Sequence, residues 1–163
     1  MEIDIFKRDA TSLKSYVVPA KSVADAIEEL VDSSFAAAVE VETELYSDKS
    51  VVISPEYLAI FLRQMFTLIC PKAFLHIKIS ENDDGLVLTF WPKSEITVPT
   101  ENFADAVRTA RNARMEIQLS KKAIVATVNF VKTKHYHVYA NDLISGKQLI
   151  MARINEIFFD PEE

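Results

Sequence analysis

Residues 54–69, SPEYLAIFLRQMFTLI, place apolar side chains on nearly every face of a helix. Leu58, Phe61, Leu62, Met65, Phe66 and Ile69 cover most of the circumference, with Ile60 and Leu68 beside them. A helix of that kind has to be covered on most sides, so the chain must build a layered core around it. Its limits are written locally. Ser54 is a capping residue, Pro55 suits the first helical position and Glu56 suits the positive end of the helix dipole. The helix stops before Pro71. At 163 residues, 49% of them hydrophobic and 26% charged, the chain is long enough for one domain with a real core, spanning 1–163. No run reaches the ~18 apolar residues of a membrane span, and the N-terminal MEIDIFKRD carries no apolar signal core. A cytoplasmic protein with no membrane partner is expected.

The flanking segments change period. Val23, Ile27, Leu30, Val31 and Phe35 fall at helical spacing, with Ser22 placed to cap. Then Val39, Val41, Thr43 and Leu45 alternate with Glu40, Glu42 and Glu44, which reads as a strand with one wet, acidic face. Further strands are expected at EIDIF, YVVPA and VVI. FLHIKIS and LVLTFW flank ENDDG and predict a hairpin turning at Asp84-Gly85. Thr100 can cap a helix over ENFADAVRTARNAR, with Phe103, Ala106, Val107 and Ala110 as its core stripe. A second hairpin, MEIQLS and AIVATVNFVKT, turns at Lys121-Lys122. YHVYA and a C-terminal helix within NDLISGKQLIMARINEIFF close the chain. The expected fold is α+β: a two-layer sandwich with helices on one face of a mixed, largely antiparallel sheet.

This order of elements, over residues 22–132, resembles the GHKL-type ATPase domain, the catalytic domain of sensor histidine kinases. VADAIEELVDSSFAAAVEVETEL looks like that family's opening helix and strand, and VVISPEYLAIFLRQMFTLI looks like the strand and turn leading into its N-box helix. LHIKISENDDGLVLTF resembles the hairpin that follows, and NFADAVRTARNARMEIQLSKKAIVATVNFV the closing helix and hairpin. Residues 133–163 lie beyond the resemblance as a C-terminal strand and helix extension. The resemblance implies an asparagine on the buried helix that holds Mg²⁺ against the ATP phosphates, with a polar residue one turn earlier. Those vestigial positions fall at Thr67 and Arg63, and no asparagine or acid lies between Tyr57 and Phe74. Magnesium favours carboxylates, amides and water. The family's adenine-reading aspartate and spaced glycines would follow LVLTF, where the chain has WPKSEITVPT. Only a short connection separates Phe90 from Phe103, without room for a long lid. The chain has just two glycines, Gly85 and Gly146, too few for a phosphate-cradling loop.

The sequence therefore points away from an enzyme and from any cofactor. It suggests a regulatory protein that works through a protein partner. Alternatives are an atypical ATP-binding domain, or a phosphotransfer protein of a two-component system. A solvent-open pocket at Thr67 would favour nucleotide binding; a pocket plugged by Phe66, Trp91 or Ile96 would favour its loss. Phosphotransfer would need a two-helix stem carrying a histidine, which the 21 residues before Ser22 are too few to hold. Net charge −6 argues against a nucleic-acid partner. Arg108, Arg111 and Arg114 recur every third residue, either as a solvated helix face or as a docking patch for an acidic partner. His135 and His137 share one strand face but lack a third ligand, so no metal site is expected. Cys70 lies in an apolar run and reads as an inert thiol. The C-terminal helix either covers the open sheet edge or the core, or pairs two copies as a homodimer.

Overall fold

The computed structural model describes residues 15–71, 73–93, 103–119, 123–131, 138–139 and 146–159. The expected strand EIDIF, Thr100, the Lys121-Lys122 turn, Ile96, His135 and His137 lie outside the described residues.

The chain runs through β1 (Tyr16–Pro19), α1 (Ala20–Leu30) with a π turn over Val31–Phe35, β2 (Val39–Glu44), β3 (Ser50–Ile53) and α2 (Pro55–Ile69). It continues through β4 (Leu75–Glu81), β5 (Gly85–Pro92), α3 (Ala104–Asn112), β6 (Glu116–Leu119), β7 (Ile124–Asn129), β8 (Val138–Tyr139) and α4 (Gly146–Phe159). Five strands form the main sheet in the order β2-β4-β5-β7-β6. β2 is parallel to β4 and the other pairs are antiparallel. A smaller sheet, β3-β1-β8, is joined to it where Val51 bridges Phe130. The helices form a layer on one face of the main sheet, so the expected α+β sandwich is the observed one. The separate small sheet is an addition to it.

Local chemistry accounts for the elements. The Ser54 hydroxyl accepts from the Tyr57 amide at 3.4 Å, Pro55 opens α2 and Glu56 sits in its first turn. α2 buries Leu58, Phe61, Leu62, Met65, Phe66 and Ile69. Each such side chain contributes about 1.5–3 kcal/mol when fully buried. Phe61 meets Phe90 of β5 edge-on, with ring centroids 5.6 Å apart. Ile77 and Ile79 of β4, Leu86 and Leu88 of β5, and Ala126 and Val128 of β7 complete the sheet side of the core.

Three local expectations change. α1 starts at Ala20, so Ser22 lies inside the helix. Pro19 presets the entry, and the Ala20 amide donates to the Lys49 carbonyl at 3.0 Å, so no side-chain cap is required. In the β4–β5 hairpin the organiser is Asn82, whose side-chain oxygen accepts from the amides of Asp84 (2.8 Å) and Gly85 (2.9 Å). Gly85 has no positive φ; it is needed because β7 passes so close to it. α3 ends at Asn112, so Arg114 lies beyond the helix, in the left-handed region at φ 69°.

α4 packs into the helix layer against α1 and α2, with Ile150 and Ile154 fully buried. Phe158 meets Phe35 and Phe66 edge-on, with centroids 5.6 and 5.7 Å apart. The apolar stripe of α4 is thus used within the chain.

Candidate functional site

α2 leaves one face uncovered by the core. Its side chains Ile60, Arg63, Gln64, Thr67 and Leu68 line an open groove of about 420 Å³. Asp105 and Ala106 of α3 form one wall, and Ile157 of α4 closes one end. Arg63 and Thr67, the two positions singled out in the sequence, stand exposed in this groove one turn apart. The Arg63 guanidinium donates to the Ile157 carbonyl at 3.2 Å, joining the groove to the last turn of α4. A cation there also suits the negative end of that helix dipole.

Sequence reasoning missed Gln64. Its carboxamide lies on the same face as Arg63, and its side-chain oxygen is buried without a hydrogen-bond partner. The signal was helical spacing: Gln64 follows Ile60 by four residues and precedes Leu68 by four, so all three share a face. The one carboxylate in the groove, Asp105, comes from α3; it pairs with Arg108 at 3.1 Å, and both stand largely exposed. The face that α2 turns to the groove therefore offers a guanidinium, an amide, a hydroxyl and two apolar side chains. Mg²⁺ prefers near-octahedral oxygen coordination anchored by carboxylates. On α2 itself this face supplies no carboxylate, and its one amide is that of Gln64.

The other residues marked in the sequence lie elsewhere. Phe66 packs in the aromatic cluster with Phe35 and Phe158, and Trp91 stacks on His76 at 4.2 Å, so neither plugs the groove. Arg108 and Arg111 are exposed on α3, whereas the Arg114 side chain turns away to donate to the Ser15 hydroxyl at 2.9 Å. The three arginines do not form one helix stripe. Cys70 caps the C-terminus of α2, and burial pushes its thiol above the usual range. His76 lies on β4, 3.1 Å from Glu40 and 3.5 Å from Glu42. Among the described residues, no group of three or more His, Cys, Asp or Glu side chains is placed to hold a metal. No helix among them is long and apolar enough to cross a membrane.

No protein-family model matches the sequence, and no curated protein matches it. Among solved structures, histidine kinase AdeS of Acinetobacter baumannii superposes with a TM-score of 0.53 at 12% identity, over 80% of this chain and 74% of that one. The chain has the histidine-kinase ATPase fold. The nucleotide-free catalytic domain of histidine kinase ThkA also matches, with a TM-score of 0.49 at 10% identity over 75% of this chain and 99% of that one. The cytoplasmic segment of histidine kinase QseC gives 0.46 at 12% identity, over 73% and 79% respectively. Scores below 0.5 do not establish a common fold, so of these three structures the AdeS match is the one that bears on the architecture. Identity this low fixes the architecture and leaves the chemistry to the residues.

Proposed function

We propose that this domain is a regulatory, protein-interaction module: a histidine-kinase ATPase fold whose nucleotide chemistry has been lost. One observation carries the reading. The groove-facing side of α2 presents Ile60, Arg63, Gln64, Thr67 and Leu68, with no carboxylate or asparagine among them. The fold's framework is kept while the donors that would hold Mg²⁺ and phosphate are replaced. The tie from Arg63 to the Ile157 carbonyl supports the same reading, because it commits the cation of this face to a contact within the chain.

A second reading, an atypical nucleotide site, is favoured by the openness of the groove and the unpartnered Gln64 oxygen. Thermal denaturation separates the two. A ligand at a hundredfold excess over its Kd stabilises the native state by about 2.7 kcal/mol. For a chain of this size that corresponds to roughly 5–11 °C in Tm. The regulatory reading predicts no shift in millimolar Mg-ADP. A rise of about 5 °C or more would establish the second reading.

A further inference from the structure

β2 carries Glu40, Glu42 and Glu44 on one face. β2 is terminal in the main sheet and, among the described residues, pairs only with β4. The Leu75 amide donates to the Ala38 carbonyl at 2.9 Å. Parallel ladders alternate with period two, so Ala38, Glu40, Glu42 and Glu44 bond towards β4. Val39, Val41 and Thr43 then point their backbone N–H and C=O groups outwards. A groove of about 660 Å³ runs beside this edge, lined by Val39 and Val41, by Glu28 and Asp32, and by Phe74 and Lys93. Two of the large hydrophobic side chains that stand exposed flank the strand: Phe74 at its start (37%) and Tyr46 just past its end (85%).

We propose that the open edge of β2 accepts an extended, basic segment of a protein partner as an added strand. β4 already shows what the three carboxylates accept from a neighbouring strand. It sets His76 beside Glu40 and Glu42 and Lys78 beside Glu44, the latter pair 3.5 Å apart. A guest with Lys or Arg at alternate positions repeats that arrangement on the open side. Its remaining side chains meet the groove, where Glu28, which accepts from the Thr43 hydroxyl, and Asp32 add negative charge, and where Phe74 gives an aromatic anchor beside Lys93, a cation that already pairs with Glu40 and lies over the Phe74 ring. A second copy of β2 is a poor guest, because glutamates would face glutamates across the new pair. This surface goes beyond the nucleotide question. Its test reads β2 amides, whereas the earlier test reads nucleotide at the α2 groove, so failure of one leaves the other standing.

The probe is a capped nonapeptide of alternating lysine and valine, added to the isotope-labelled full chain. Its control carries glutamate in place of lysine. Hydrogen exchange at the Val39, Val41 and Thr43 amides is followed by NMR. The lysine peptide is expected to slow exchange at all three at least tenfold, and the glutamate peptide at none. Glu42→Gln with Glu44→Gln, two exposed or half-exposed substitutions, is expected to weaken binding about fivefold. Binding without protection of those amides would reduce the edge to diffuse charge attraction and overturn the proposal. So would no binding at millimolar peptide. Concentration-dependent protection without peptide would assign the edge to a second copy and overturn it too.

Discussion

Gly85→Ala sets two effects of similar size against each other, and the structure decides between them. Gly85 opens β5 opposite Asn129 of β7. A Cβ added there would lie 2.2 Å from the Val128 carbonyl oxygen and 2.9 Å from its carbon, against ordinary contacts of 3.4–4 Å. Backbone cannot rotate away as a side chain can, so β7 must retreat by about an ångström or β5 must buckle. Overpacking of this kind costs about 1–3 kcal/mol. In the opposite direction, Gly85 has no positive φ, so alanine would restrict the unfolded chain and stabilise by about 0.4–1 kcal/mol. Because the collision is with backbone, the upper end of the overpacking range applies, and the net loss is about 2 kcal/mol. At 2–4 °C per kcal/mol for this size, Tm falls by roughly 4–8 °C. Differential scanning calorimetry of the two proteins measures it. An unchanged or raised Tm would mean that only the entropy of the unfolded chain was altered, and would refute the close approach of β7.

Ile154→Ala removes a side chain with no exposure at the contact of α4 with α1 and α2, and is expected to cost about 2–5 kcal/mol in urea unfolding. The exposed neighbour Asn155→Ala should stay within about 0.5 kcal/mol. Ser54→Ala deletes the α2 cap and should lower the urea-unfolding free energy by about 1 kcal/mol. Glu81 accepts from the Ser47 hydroxyl at 2.7 Å and from the amides of Tyr46 and Ser47, and these bonds hold its carboxyl below the usual range. Its stabilisation is complete above the unfolded glutamate value of about 4.3 and fades as pH falls through the lower folded one. Amide exchange at Tyr46 and Ser47, corrected for intrinsic rates, should therefore accelerate as pH falls below the unfolded glutamate value. Glu81→Gln should abolish that acceleration.

What was legible in the sequence follows from which signals are local. α2 could be read because its cap, its proline and its apolar surface lie within sixteen consecutive residues. β2 could be read because one wet face forces strict alternation. Ser22 reads as the start of α1 because the partner of the Ala20 amide, Lys49, is remote in sequence. Gly85 reads as turn chemistry, although its constraint comes from Val128, on another strand. The same limit governed the site. Arg63 and Thr67 were identifiable, but which face of α2 stays open depends on α3 and α4. Gln64 therefore entered the groove unannounced. Arg114 looked continuous with Arg108 and Arg111 because sequence spacing does not show where a helix ends.

The most direct test of the central claim is a calorimetric titration of the full chain with Mg-ADP and with a non-hydrolysable ATP analogue. The proposed loss of nucleotide chemistry predicts no saturable heat up to millimolar ligand. Saturable binding in the micromolar to sub-millimolar range, weakened by Gln64→Ala or Thr67→Ala, would contradict it and make the groove a working nucleotide site.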